Sequence, residues 1–159
     1  MTADLTHPGP ALAELPERLR EAVVAYARTE LPNEACGLIV GDRPAPDGGR
    51  ALRWEPARNG LQSPYRYEIH PDDLYRLSVA IDDAGEAIWA IVHSHVASPA
   101  RPSPTDLRDA HYPDSLYVLV SLDPGEADAS TGEPSVRAWR ILDGAAHEVA
   151  LIAPDEVSA

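Results

Sequence analysis

His93-Ser94-His95 is followed, after seven intervening residues, by Ser103-Pro104-Thr105-Asp106, and imidazole and carboxylate groups in this pattern can hold a metal ion. The histidine pair closes an uninterrupted apolar run, Ala87-Ile88-Trp89-Ala90-Ile91-Val92, of the kind that forms a strand buried on both faces. At the end of a strand, residues i and i+2 point to the same side, so His93 and His95 are expected to face one pocket. Two imidazoles and a carboxylate, with one position left open to water, make the ligand set of a catalytic zinc and not of a structural one. His93, His95 and Asp106 are therefore the candidate ligands for one zinc ion per chain.

Each half of the pattern also has a plain structural reading. A lone His-x-His pair is most often a surface feature, and Ser-x-x-Asp before an apolar residue is close to a helix capping box, with Pro104 at the favoured first helical position. The cap and the ligand are compatible. Ser103 as the cap places Asp106 in the first turn, where the helix dipole favours a carboxylate, and so fixes that carboxylate at a pocket rim. The fixed order of strand, His-x-His, proline-bearing loop and capped helix joins the two halves into one metal-site expectation.

The rest of the chain must supply the frame. Residues 1–10 read as a loose tail. Residues 12–30 carry apolar side chains at helical spacing (Leu15, Leu19, Val23, Val24, Ala27) with Pro16 near the start, which predicts an amphipathic helix. Residues 36–41 are a short strand with residues 51–56 as its hairpin partner, and the cluster Arg43-Pro44-Ala45-Pro46-Asp47-Gly48-Gly49 between them is a turn. Residues 65–69 read as a further strand, and His70-Pro71-Asp72-Asp73 opens a helix to about Asp82. The metal-bearing strand follows Ala84-Gly85, and residues 116–121 form a second apolar strand. The polar stretch 123–134 is a loop. Residues 136–142 and 147–152 are strands around Asp143-Gly144, a strong hairpin signal. Mixed helices and strands of this kind imply an α/β or α+β sandwich, as one domain over residues 11–153 with tails at 1–10 and 154–159.

Composition bounds the function further. The 159 residues suffice for one ordinary core, and no apolar run approaches the roughly 20 residues of a membrane span. The first residues, Met1-Thr2-Ala3-Asp4-Leu5-Thr6-His7-Pro8, lack a basic, apolar leader, so no secretory signal is expected. A single cysteine, Cys36, cannot form an intramolecular disulfide and suits a reducing cytoplasm. A formal charge of −13 argues against nucleic acid as a partner; it keeps the protein soluble and can steer a basic protein partner. All 13 basic residues are arginine, which fits a composition rich in Ala, Arg, Pro and Asp better than any functional avoidance of lysine.

With these residues in place, the chain resembles the JAMM, or MPN-plus, metallopeptidases of the short bacterial type, whose signature is an upstream Glu followed by H-S/T-H-x7-S-x-x-D. The segment Pro32-Asn33-Glu34-Ala35-Cys36-Gly37-Leu38-Ile39-Val40-Gly41 is similar to the stretch carrying the catalytic glutamate of that family. Asn59, Ser63-Pro64-Tyr65-Arg66-Tyr67-Glu68-Ile69, Tyr112-Pro113-Asp114 and Tyr117-Val118-Leu119-Val120-Ser121 resemble further pieces, so the likeness covers about residues 12–152. Many bacterial members have Pro directly after the second histidine, where Val96 stands here; loop length is kept, so the substrate groove is affected and not the metal. The resemblance implies a cytidine-deaminase-like α-β-α sandwich with a mixed sheet. The H-x-E and P-C-x-x-C signature of a deaminase itself is absent.

Zinc supplies a nucleophilic water and a Lewis acid for peptide hydrolysis, and a carboxylate beside it can move the proton. The resemblance assigns that role to Glu34; read without it, a lone Glu before a strand is usually a solvated one. It also implies that Ser103 hydrogen-bonds the oxyanion, although capping competes for the same hydroxyl. Ser94 faces away from its neighbours and is expected to support packing. Cys36, among apolar neighbours, reads as an inert buried thiol. His7, His70, His111 and His147 lack ligand spacing, and Trp54, Trp89 and Trp139 read as core. The function implied is hydrolysis of a peptide or isopeptide bond after the C-terminal glycine of a small ubiquitin-like or sulfur-carrier protein. Such a substrate tail would bind extended, as an added strand, near the loop 96–102. A general small-peptide metallopeptidase and a non-catalytic scaffold are the alternatives, and the scaffold reading expects broken ligands where here all are intact.

Overall fold

The computed structural model describes residues 12–154, so the expected tail at 1–10 lies outside the described residues, as do residues 155–159. The chain runs β1 (Leu12–Glu14), α1 (Glu17–Thr29), β2 (Cys36–Gly41), β3 (Ala51–Ala57), α2 (Pro71–Asp83), β4 (Ala87–His95), α3 (Pro104–Arg108), β5 (Leu116–Ser121), β6 (Ser135–Leu142) and β7 (Ala145–Ile152). One seven-stranded sheet holds them in the order β1-β7-β6-β5-β4-β2-β3. The β4–β5 and β1–β7 pairs are parallel and the others antiparallel, so the sheet is mixed. Helix α1 covers one face through Leu19, Val23, Val24 and Ala27, packed with Ile39, Val92, Val118 and Val120. Helix α2 covers the other through Leu77 and Ile81, with Leu38, Val40, Ile91 and Leu119 below it and Leu107 of α3 beside them. The result is the α-β-α arrangement that the family resemblance implied.

Strand β4 is central and buried from Trp89 to His95. Its pairing with β2 shifts register, Ile39 lying opposite Ala90 and Val40 opposite Ile88, so Trp89 is the extra residue of a bulge. Trp89 and Ala90 both join the α1 side. Beyond them the alternation is regular, with Ile91 on the α2 side and Val92 on the α1 side. Period two then carries His93 and His95 to the α2 side and Ser94 to the opposite one. The turn Asp143-Gly144 has positive φ at both residues, 50° and 74°, as a tight two-residue hairpin requires.

Two expectations are corrected. The helix expected over 12–30 begins only at Glu17; Leu12–Glu14 is an edge strand parallel to β7, and the Leu15 amide donates to the Ile152 carbonyl at 2.8 Å. Pro16 is the reason, since it holds the preceding residue extended and lacks an N–H. No strand forms over 65–69, where only an isolated bridge joins Asn59 to Ile69. There the backbone bonds to a side chain: the Asn59 Oδ1 accepts from the Glu68 amide at 3.1 Å. Trp89 and Trp139 are buried, whereas Trp54 is only partly covered, against the α1-side core.

Candidate metal centre and adjoining cleft

The end of β4 and the start of α3 bring three basic atoms together. His93 Nε2 and His95 Nε2 are 3.2 Å apart, and each lies 3.1 Å from Asp106 Oδ2. The capping box expected from the sequence holds the third of them: Asp106 N donates to Ser103 Oγ at 3.0 Å, and Ser103 N donates to Asp106 Oδ2 at 2.9 Å. Capping uses the acceptor side of the Ser103 hydroxyl, so its hydrogen stays available to a ligand and the anticipated competition does not arise.

The donor set fits a divalent metal. His95 Nδ1 lies 2.7 Å from the Pro99 carbonyl, which an imidazole meets only as N–H, so the neutral ring presents a lone pair at Nε2. That lone pair faces a carboxylate oxygen and a second imidazole nitrogen, an arrangement that a shared cation relieves. Donors 2.0–2.1 Å from a tetrahedral zinc stand about 3.3 Å apart, close to the edges of this triangle. The other His93 nitrogen, Nδ1, is buried and finds no hydrogen-bond partner among the described residues; its ring instead stacks on Tyr67, with centroids 4.2 Å apart and planes 17° from parallel.

Burial and charge tune these groups in different directions. Burial pushes the pKa of His93 down, favouring the neutral, ligating form. Burial also pulls on His95, but the Asp106 carboxylate and the Pro99 carbonyl outweigh it and leave its pKa raised. Burial opposes ionisation of Asp106 too, but the adjacent His93 and His95 rings and the Ser103 amide outweigh it and hold the carboxyl well below its usual range. Glu34 is pushed up to about 7, chiefly by burial, with His95 opposing and Asp106 adding to the rise.

Glu34 precedes β2, whose Cys36 pairs with His93. Ser94 fastens this approach: Ala35 N donates to Ser94 Oγ at 2.8 Å and Ser94 N to the Ala35 carbonyl at 3.0 Å. The supporting role expected for Ser94 is thus visible. Among the described residues no hydrogen bond meets the Glu34 carboxylate, although the residue is only 5% exposed. A buried carboxyl beside a triad able to hold a metal, with its oxygens uncommitted and its pKa near neutrality, can take and return a proton.

A cavity of about 400 Å³ adjoins the triad. Asp106 is part of its wall, along with Tyr67, Ile69, Leu74, Tyr112 and Tyr117. Sequence reading missed these tyrosines as a group, because they come from separate segments and carry no shared spacing. The 96–102 loop beside the site is pinned through three carbonyls, at Ser98 by Ser121 Oγ, at Pro99 by His95 and at Ala100 by Trp139 Nε1. The remaining candidates stand apart. Cys36 is fully buried, and burial foremost pushes its thiol up to about 12, so it is no nucleophile at neutral pH. His70 caps α2 through Nδ1, which accepts from Asp72 N. His111 is exposed at the cavity rim, His147 is exposed on β7, and His7 is outside the described residues.

Known proteins resemble this chain over most of its length. The family model described as prokaryotic homologs of the JAB domain matches residues 16–142. A CysO-cysteine peptidase from Mycobacterium tuberculosis is 39% identical over 132 residues, which cover 82% of this chain and 83% of the relative. A probable TtuB-protein conjugate cleaving protease from Thermus thermophilus is 32% identical over 139 residues, covering 87% and 80%. The solution structure of a protein from Desulfitobacterium hafniense superposes with a TM-score of 0.74 at 32% identity, over 90% of this chain and 93% of that one.

Proposed function

This chain belongs to the prokaryotic JAB-domain family, and we propose that it is a zinc-dependent hydrolase of peptide or isopeptide bonds that follow the C-terminal glycine of a ubiquitin-like or sulfur-carrier protein. The observation that carries the proposal is the His93–His95–Asp106 triangle, 3.1–3.2 Å on each edge, with the buried Glu34 beside it. The substrate class is supported by relatives named for cleavage of CysO-cysteine and of TtuB conjugates.

His93 Nε2, His95 Nε2 and Asp106 Oδ2 would hold the ion. When bound, zinc supplies a Lewis acid for the scissile carbonyl and lowers the pKa of water to about 7. Glu34 accepts the proton of the attacking water on a carboxylate oxygen and delivers it to the departing nitrogen. Its raised pKa suits both transfers, because a group near 7 gives up a proton as readily as it takes one; a nearby dication shifts that value downward. Ser103 donates its free hydroxyl hydrogen to the oxyanion of the tetrahedral intermediate. Desolvation by the surrounding tyrosines strengthens each of these contacts. The pinned 96–102 loop gives the folded body of a carrier a surface with little left to order.

We place the protein in the cytoplasm, a reading that its one cysteine, buried and unpaired, supports. No helix among the described residues is long and apolar enough to cross a membrane.

The deciding experiment compares kcat/KM for a carrier conjugate and for its isolated C-terminal peptide at equal ionic strength. A large preference for the folded conjugate is expected, because remote contacts help position the reacting bond. Equal efficiencies would leave a general small-peptide peptidase, and no cleavage of either by zinc-loaded protein would leave a scaffold.

A further inference from the structure

Asn59 makes every hydrogen bond its side chain can make through both of its ends. Nδ2 donates to the Glu34 carbonyl at 3.1 Å and to the Arg66 carbonyl at 3.0 Å. Oδ1 accepts from Leu61 N at 3.0 Å and from Glu68 N at 3.1 Å. A carboxamide has two donors and a two-lone-pair acceptor, so this amide is fully committed, and all four partners lie in two places. Three belong to the segment 61–68, which carries Tyr65 and Tyr67 of the cleft wall. The fourth is the backbone of Glu34.

That segment holds the other polar group of Glu34 as well, since Glu34 N donates to the Ser63 carbonyl at 2.9 Å. Neither backbone group of Glu34 is therefore bonded to a strand neighbour. Ala35, the next residue, is bonded instead to Ser94 of β4. Glu34 thus lies between two clamps, one tied to the metal-bearing strand and one tied to the cleft wall. The base of the second clamp is closed by Gly60 N to Glu68 O at 2.7 Å and His70 N to Arg58 O at 2.9 Å. Tyr67, on the same segment, also stacks on His93.

We infer that Asn59 is a positioning residue that sets the Glu34 backbone and the tyrosine-bearing wall of the cleft as one unit. The inference rests on the role given to Glu34 under the proposed function. It assigns Asn59 two separable effects. The donor end holds Glu34, with one further bond to the wall at Arg66, and bears chiefly on kcat. The acceptor end holds the wall through Leu61 and Glu68 and bears on KM. No common substitute supplies both ends: Asp lacks the donor, Ser is too short to span the two sides, and Gln adds a methylene to a site whose four bonds are already made.

The test uses the full zinc-loaded chain with Asn59→Ala and Asn59→Asp, each measured for zinc content and folded fraction before assay on a carrier fusion. Displacing a proton-transfer group by about 1 Å costs on the order of 100-fold in rate, and a fall of about that size in kcat is expected for both variants. KM should rise for Asn59→Ala, whereas Asn59→Asp, which keeps the acceptor, should hold KM within about twofold of wild type, well below the 100-fold expected in kcat. A purely structural staple would lower the active fraction without this split. Amide hydrogen exchange supplies a readout independent of any substrate. In Asn59→Ala the amides of Leu61, Glu68 and Glu34 should exchange faster by roughly fivefold or more, about the worth of one hydrogen bond, while those of β4 and β5 keep their protection. Wild-type protection at the Glu34 amide, or a kcat loss accounted for by zinc content, would overturn the inference. Failure of the wild-type protein to cut the fusion would instead refute the proposed substrate and leave the exchange result to decide the clamp.

Discussion

The two faces of the central sheet are built to different rules. The α1 face is aliphatic, with Leu19, Val23, Val24 and Ala27 closing over Ile39, Val92 and Val118. The α2 face starts in the same way, with Leu77 and Ile81 over Leu38 and Val40. Toward the C-terminal end of β4 it changes to tyrosine, histidine and carboxylate, with a cavity of about 400 Å³. Helix α3 spans only Pro104–Arg108, so it caps that end without covering it. The difference shows how one strand can serve both purposes: alternate residues of β4 put Val92 into an aliphatic core and His93 into a buried polar cluster beside the cavity. One face contributes stability, and the other accepts buried polar groups whose cost that stability offsets.

Substitutions on the two faces should therefore separate cleanly. The largest effect is expected from His95→Ala, which removes one proposed ligand from the triangle. Metal analysis after reconstitution should find zinc binding lost along with activity, while circular dichroism reports an intact fold. Stoichiometric zinc in this variant would contradict the ligand assignment. Glu34→Gln comes next: turnover should fall roughly 100- to 10,000-fold with zinc content unchanged, and near-normal turnover would remove Glu34 from the mechanism.

On the opposite face, Leu19→Ala should cost about 2–5 kcal/mol of stability, as truncation of a buried leucine does. Urea unfolding measures that loss, and kcat per folded molecule should not change. A drop in kcat would show that the faces are coupled after all.

The smallest effects concern pH, and two carboxyl groups give opposite signs. Burial raises Glu34 from 4.5 to about 7 in the metal-free protein, so its contribution is fully present below about pH 4.5 and is lost as pH rises through 7. Asp73 is lowered from 3.8 to about 2, foremost by the Arg58 side chain, so its contribution is present above 3.8 and lost as pH falls toward 2. Denaturation curves across pH should therefore flatten between 5 and 8 in metal-free Glu34→Gln, and between about 4 and 2 in Asp73→Asn. An unchanged slope in either variant would show that the carboxyl concerned is not shifted by its surroundings.

The features legible in advance were local ones. His93, His95, Ser103 and Asp106 lie within one strand, one loop and one helical turn, so period two and the capping box were enough to place them. The strands β2, β5 and β6 were visible as apolar runs bounded by turn residues. The start of α1 was misjudged because apolar spacing continues across Pro16, where chain geometry and not hydrophobicity decides. The strand expected over 65–69 failed for another reason. Alternating Tyr and Ile signals a pleated, half-buried segment, but here a side-chain amide from Asn59 takes the backbone bonds that a strand partner would have taken.

By itself the sequence determined a His-His-Asp triad able to hold a metal, the strand and cap that present it, and an α/β frame, because each depends on contacts between near neighbours in the chain. Only the tertiary structure decided what surrounds that triad. Glu34 reaches it because β2 pairs with β4 across an intervening helix and hairpin, and its raised pKa follows from burial that no local spacing encodes. The tyrosines of the cleft, the stacking of Tyr67 on His93 and the four bonds of Asn59 all join residues from separate segments. Their placement rests on sheet order and on packing between layers, which long-range contacts settle.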